Sequence, residues 1–347
     1  MGSKTFKYSL SLIYGPARSR RLGLSLGVNP SPLTCSFNCV YCECGEKAYY
    51  VESPERVPIK IAHKVVYRSL EQVLNEGGES RLDTITFSGT GEPTLNDELG
   101  LMIKDAKALA DTRVTVITNS SLLHRRSVRE ALGSADEVVA KLNASSQRTF
   151  LSINRPVDKS LSIGDIIEGL TKFKQESCSS LTIEILLVDL EGSRGNSSLE
   201  EIEGLSEALR KIEPDKVHIH TIARYPLESY VHPVSRGKIL EAASAFEKVL
   251  GRGRIHTYSS GALRYSIFRS TLLGYLRTGD PEAYRRLIEG SYKCPLTGRS
   301  LNPMNFCYCA SCGLVFSMRE ARIRLIDDEY VLLCPKCSAV LHRSSGG

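Results

Sequence analysis

The feature that most constrains this chain is a strand–helix alternation running from Leu22 to about Ile222. Short β-branched runs, "LGLSLGVN", "LDTITFSG", "RVTVITN", "DEVVAKLNA", "LTIEILLVD" and "KVHIHTIA", are separated by amphipathic stretches. In one of these, "AHKVVYRSLEQVLNEGG", Val65, Val66, Leu70, Val73 and Leu74 recur at helical spacing and glycine ends the run. Six such repeats predict an α/β fold, a parallel sheet covered by helices. The pattern does not separate a doubly wound sheet from a partial or full β/α barrel. In either, the ligand site lies at the carboxyl ends of the strands. After Pro233 the alternation stops. "SRGKILEAASAFEKVLG" reads as a helix, "RIHTY" as a short strand, and "GALRYSIFRSTLLGYLR" and "DPEAYRRLIEG" as two more helices. The reading divides the chain into a β/α unit over 1–234, a helical extension over 235–290 and a cysteine-rich module over 291–347.

At 347 residues, 41% hydrophobic and 24% charged, the chain can bury a sizeable core and is not disordered. No apolar run approaches the ~20 residues of a membrane span, and "MGSKTFKYSLSLIYG" has neither the apolar core nor the cleavage site of a signal peptide. The expectation is a cytoplasmic protein with no membrane partner. In that compartment eleven cysteines point to metal or redox chemistry rather than a disulfide framework. Four lie at 35–44, six at 294–337, and Cys178 stands alone as an ordinary thiol. The net charge is +6. "RSRR" at 18–21, "HRRSVR" at 124–129, "GRGR" at 251–254 and "YRR" at 284–286 read singly as solvated helix ends and loops, but together they keep an RNA partner open.

The unusual residues sit where strands end. "CSFNCVYCECG" follows the first strand, "SGTGEPTL" the second, "TNSS" the third, "KLNA" the fourth and "HTIARYP" the sixth. Cys35, Cys39 and Cys42 are one thiol short of a tetrahedral zinc site. A four-iron cluster normally takes four cysteines. Held by three, it keeps one iron open for chemistry. Cys44 is too close to Cys42 to complete a zinc cage and receives no role.

Cys35-x-x-x-Cys39-x-x-Cys42, with aromatic Tyr41 before the last cysteine, resembles the signature of the radical S-adenosylmethionine (SAM) superfamily. The wider context "YGPARSRRLGLSLGVNPSPLTCSFNCVYCECG" resembles an Fe–S oxidoreductase subgroup near the tRNA wyosine-base synthases, and the likeness covers roughly residues 14–226. The resemblance implies a partial (β/α)6 barrel with a [4Fe–4S] cluster held by Cys35, Cys39 and Cys42, its open iron chelated by the amino and carboxylate groups of SAM. Reductive cleavage of SAM would then yield methionine and a 5′-deoxyadenosyl radical. By the same resemblance Gly89, Gly91 and Glu92 meet the methionine end of SAM. Asn119 and Ser121 hydrogen-bond its ribose or carboxylate, Lys141 and Asn143 serve the carboxylate and ribose, and the Tyr41 backbone lies near adenine. "GTGEP" departs from the commoner Gly-Gly-Glu form by Thr90. His220 and Arg224 are candidate substrate contacts, while His218, on the same face as His220, reads as a structural histidine.

In the last segment, Cys309/Cys312 and Cys334/Cys337 form two Cys-x-x-Cys knuckles separated by β-like runs. This looks like a zinc ribbon, whose metal would contribute folding free energy directly. A second Fe–S cluster is the alternative, with Cys294 and Cys307 left over. Ribbons serve as nucleic-acid or protein contact modules, or only staple a domain end.

Three functions follow. The first is a radical SAM enzyme that modifies RNA, most readily tRNA, with a separate protein as electron donor. The second is a radical SAM enzyme acting on a protein or peptide. The third is a non-catalytic nucleic-acid-binding protein with two zinc sites.

Overall fold

The computed structural model of the chain describes residues 12–76, 81–192, 195–258, 273, 276–302, 305–309, 311–326 and 329–343. Its first strands are β1 (Ile13–Ser19) and β2 (Gly23–Val28), an antiparallel hairpin. The cysteine loop follows, with the short parallel pair β3 (Thr34–Cys35) and β4 (Tyr49–Tyr50) across its base. Then come α1 (His63–Glu76), β5 (Thr84–Phe87), α2 (Leu99–Leu109), β6 (Val114–Thr118), α3 (Arg126–Leu132) and β7 (Glu137–Lys141). Two helices, α4 (Gln147–Ile153) and α5 (Ile163–Glu176), precede the long β8 (Ser180–Leu190). The chain continues through α6 (Leu199–Ile212), β9 (Lys216–Thr221), β10 (Val231–Pro233), α7 (Arg236–Leu250) and β11 (Ile255–Tyr258).

The strands make one curled, open sheet in the order β1-β2-β5-β6-β7-β8-β9-β11, with β10 added antiparallel to β8. From β2 to β11 every neighbouring pair on this path is parallel. The expected half-barrel is therefore present, extended by β1 at one edge and by β11 ("RIHTY") at the other. β1 is not announced by the sequence pattern, because its residues after Tyr14 are largely exposed and carry no apolar alternation.

Alternation along the strands sorts the two faces of the sheet. Ile85, Val114, Val116, Val138, Ala140, Ile183, Ile185, Val217 and Ile219 are buried and form the apolar face that the amphipathic helices cover. The opposite face, inside the curl, is polar: Ser25, Thr84, Thr86, Thr115, Glu137, Thr182, Glu184, His218 and His220. These bond across the strands, Ser25 Oγ to Thr86 Oγ1 at 2.7 Å, Thr84 Oγ1 to Thr115 Oγ1 at 3.0 Å, and Thr182 Oγ1 donating to Glu137 Oε1 at 2.8 Å.

Beyond β11, "GALRYSIFRSTLLGYLR" falls mostly outside the described residues, whereas α8 (Pro281–Ile288) starts as expected, Asp280 accepting from Ala283 N–H at 2.9 Å. The cysteine-rich module contains a two-stranded pair, β12 (Phe306–Tyr308) and β13 (Val315–Ser317), and a three-stranded sheet of β14 (Arg322–Ile326), β15 (Glu329–Leu333) and β16 (Val340–Arg343). Among the described residues no helix is long and apolar enough to cross a membrane.

Candidate active site and metal centre

The cysteine loop rests on a pedestal that the strand–helix alternation conceals. α4 is capped by Ser146, and the chain leaving it, 153–157, exchanges backbone hydrogen bonds with the loop. Val40 N donates to Ile153 O at 2.9 Å, Asn38 N to Arg155 O at 3.1 Å and Val157 N to Ser36 O at 3.0 Å. On the other side Glu92 N donates to Thr34 O at 2.9 Å, tying the "GTGEP" turn to the loop. Gly91 fits only because it lacks a side chain: a Cβ there would lie 1.8 Å from Ser31 O. Gly89 adopts φ +136°, which favours glycine, and its carbonyl receives the Cys44 thiol at 3.7 Å.

Glu92 is buried and its carboxylate turns inward. Oε1 accepts from Thr118 Oγ1 at 2.6 Å and Thr94 Oγ1 at 2.7 Å, and Oε2 accepts from Asn119 N at 2.7 Å. It locks the ends of β5 and β6 together, although burial raises its pKa above the usual carboxylate value. Asn119 in turn donates from Nδ2 to Ser36 Oγ at 3.0 Å, and Ser36 Oγ lies 2.6 Å from Ser121 Oγ. Asn143 receives Leu186 N–H at 2.8 Å and donates to the Tyr41 hydroxyl at 2.6 Å, so the buried Tyr41 ring is anchored beneath the loop.

Each cysteine of the triplet is half-buried and has a nitrogen donor of its own. Asn119 Nδ2 lies 3.7 Å from Cys35 Sγ, Asn154 Nδ2 3.7 Å from Cys39 Sγ, and Lys47 Nζ 3.1 Å from Cys42 Sγ. Burial pushes the Cys35 thiol up to about 12 and Cys39 to about 11, whereas hydrogen bonding to Cys44 holds Cys42 well below its ordinary value. That burial does not bar ligation, because a bound metal deprotonates a thiol outright. The donor set fits a cluster: three soft ligands, each with an N–H donor toward its sulfur, while Cys44, in the same loop, turns to Cys42 and to the Gly89 carbonyl.

Beside the loop lies the polar lumen. Glu184, buried in the middle of β8, pairs with Arg21 from the β1–β2 turn, with Lys141 Nζ at 3.7 Å and with His220 Nε2 at 3.4 Å. Burial, then the Arg21 and Lys141 charges, hold His220 down to about 3, so the ring is neutral. His218 is also held to about 3, chiefly by burial, and its Nδ1 is buried without a hydrogen-bond partner. Arg224 pairs with Glu43 of the cysteine loop, at the exposed rim. Sequence reasoning missed Lys47, Asn154, Arg21 and Glu184. A signal existed for Glu184, a carboxylate inside the apolar run "LTIEILLV"; Arg21 was hidden in "RSRR", and nothing in the local sequence distinguishes Lys47.

At the C-terminal module, the sulfurs of Cys309, Cys312, Cys334 and Cys337 all lie within 4.8 Å of one another, with Cys309–Cys337 and Cys312–Cys334 at 3.7 Å. Metal–sulfur bonds of about 2.3 Å around a tetrahedron place sulfurs about 3.8 Å apart, so the four thiols match a single metal ion. The knuckles share one hydrogen-bond pattern: Cys309 N donates to Leu314 O and Cys334 N to Ala339 O, both at 2.9 Å. Cys294 makes the same turn, its N–H reaching Arg299 O at 2.8 Å, but Thr297 stands where the other turns carry their second cysteine. Cys294 and Cys307 are both buried.

A family model described as "Radical SAM superfamily" matches residues 30–193. The chain carries this superfamily's domain and is an enzyme, which sets aside the non-catalytic reading. Within it the chain belongs to the UPF0026 family: it is 30% identical over 255 residues to a UPF0026 protein of Methanocaldococcus jannaschii, covering 71% of this chain and 74% of that protein. A UPF0026 protein of Helicobacter pylori strain J99 is 32% identical over 245 residues, covering 70% and 75%. A Brachyspira hyodysenteriae protein named "GTPase Obg" is 32% identical over 248 residues, but this chain spans only 34% of its length. Among solved structures, the FeFe-hydrogenase maturase HydG from Carboxydothermus hydrogenoformans aligns with a TM-score of 0.46 at 14% identity, over 68% of this chain and 53% of that one. anSMEcpe with bound AdoMet aligns at 0.41 and 15%, over 85% and 78%.

Proposed function

We propose that this chain is a radical SAM enzyme whose Cys35, Cys39 and Cys42 hold a [4Fe–4S] cluster, with RNA, most readily tRNA, as the substrate class. The observation that carries the first part is the set of three half-buried thiols at the strand ends, each with its own N–H donor. The cluster with SAM bound would supply a 5′-deoxyadenosyl radical, using an electron from a separate donor protein. The chain's own residues position and enclose. Glu92 holds the turns after β5 and β6 in fixed relation, Tyr41 and Asn143 support the loop from below, and Lys141 stands at the lumen edge where a carboxylate can approach it. The C-terminal thiols would hold zinc.

RNA is favoured by the β1–β2 hairpin. Arg18 and Arg20 are exposed there and Arg21 continues the same basic run into the lumen, a charge pattern that would suit a phosphate backbone at the rim. The "HRRSVR" cluster contributes less than its sequence suggests, because Arg125, Arg126 and Arg129 pair with Glu55, Glu130 and Glu176.

The test is anaerobic reconstitution with iron and sulfide, then dithionite-dependent formation of 5′-deoxyadenosine from SAM, in wild type and Cys39→Ser. The expected result is about four irons and one zinc per chain, with cleavage lost in the variant while the barrel stays folded. Retained cleavage in Cys39→Ser would sink the assignment. Hydrogen transfer from deuterated cellular tRNA into 5′-deoxyadenosine would support the RNA substrate, and transfer only from a protein fraction would overturn it.

A further inference from the structure

Lys47 is 3% exposed, and its ammonium meets Cys42 Sγ at 3.1 Å and Gly45 O at 2.9 Å. A buried cation is costly unless paired. Among the described residues no carboxylate pairs with it, and its side-chain contacts are the Cys42 sulfur and the Gly45 carbonyl. It is thus a cation placed for sulfur. The other two cysteines receive neutral amide donors, Asn119 and Asn154, so the three donors are unequal: one of them carries a full positive charge. The backbone pins Lys47 in place, its N–H donating to the Tyr50 hydroxyl at 3.3 Å and Tyr50 donating to Asn38 Oδ1 at 2.7 Å.

Resting on the cluster assignment above, we infer that Lys47 sets the reduction potential of the cluster bound by Cys35, Cys39 and Cys42. Three thiolates leave the bound cluster negative, and taking up one electron deepens that charge. A fixed ammonium beside one of the sulfurs therefore stabilises the reduced form more than the oxidised form, and hydrogen bonds to sulfur act in the same direction. Lys47 is a positioning and tuning residue: it acts through Cys42 and touches no substrate.

The experiment is an EPR-monitored redox titration of the reconstituted full-length protein with dithionite, comparing wild type with Lys47→Met, Lys47→Gln and Lys47→Arg. In the two neutral variants the ratio of reduced to oxidised cluster at a fixed potential should fall about ten-fold, a shift of about 59 mV for one electron, while Lys47→Arg stays close to wild type. Neutral variants that carry a full cluster and titrate with the wild type would overturn the inference. Loss of iron from both neutral variants with retention in Lys47→Arg would overturn it too, making Lys47 an anchor of the cluster and not a tuner. Wild type that binds no iron would instead defeat the underlying cluster assignment.

Discussion

Gly91 packs against the cysteine loop so closely that an added Cβ would sit 1.8 Å from Ser31 O and 2.3 Å from Thr34 O, both backbone atoms. Neither can swing aside as a side chain would. Gly91→Ala must therefore displace the loop or the turn after β5, at a cost of typically about 1–3 kcal/mol for overpacking. Since Thr34 adjoins Cys35, the expected outcome is a folded protein that binds less than half the wild-type iron on reconstitution, measured by metal analysis with circular dichroism as the control for folding. Wild-type iron content would show that the loop tolerates the shift. The neighbouring Glu92 illustrates what a motif conceals: "GTGEP" announces a turn near the site, but the number of internal donors that occupy the carboxylate depends on Thr118 and Asn119, a strand away.

At the scale of elements, the cysteine-rich module is fastened to the loop that carries Cys42. Ser317, at the end of β13, donates to Glu46 Oε2 at 2.5 Å, Arg319 Nε lies 2.7 Å from Glu46 Oε1, and the Arg319 guanidinium stacks 4.9 Å over the Tyr50 ring. The knuckle bond from Cys309 N to Leu314 O leads straight into β13, so a metal held by the four thiols would bear on the loop through this strand. Cys337→Ser should lose the bound metal and speed amide exchange across 45–51 several-fold. Arg319→Ala should keep the metal and loosen the same amides less, since a partly exposed ion pair contributes under about 1 kcal/mol. Hydrogen–deuterium exchange with metal analysis checks both, and unchanged exchange in Cys337→Ser would mean the two ends are independent. The strands and helices of the sheet were legible because burial on both faces leaves long apolar or strictly alternating runs, as in "LTIEILLVD". α4 was not, since seven residues, "QRTFLSI", give too little periodicity, and its role as pedestal is fixed by backbone bonds that no side-chain pattern records. The paired knuckles were legible as spacing, while the third turn at Cys294 was not, because Thr297 replaces the cysteine that would have marked it.

Across the whole molecule, the lumen is a buried polar chamber that works against its own protonation. His218 and His220 project from β9 into it, and both are held to about 3, first by burial and then by Arg21, with Lys141 adding to the effect on His220 and His256 and Lys216 on His218. Glu184 faces His220 at 3.4 Å and favours the charged ring, but Arg21 and Lys141 already pair with that carboxylate. In the unfolded chain the same histidines take up protons near pH 6.5. Between about 3 and 6.5 the unfolded state therefore binds more protons than the folded one, so stability is complete above the unfolded value and falls as pH drops through it. At pH 5 the loss is about 2 kcal/mol for each ring. The expected outcome is a wild-type melting temperature that drops markedly between pH 7.5 and pH 5, and a smaller drop in a His218→Gln, His220→Gln variant, which removes both titrating groups while keeping their size. Equal drops in the two proteins would mean that the rings take up protons inside the folded lumen. The chamber would then be wet and open enough to hydrate two cations, and Arg21 would be a loose contact rather than the fixed link from the β1–β2 turn to Glu184 in β8.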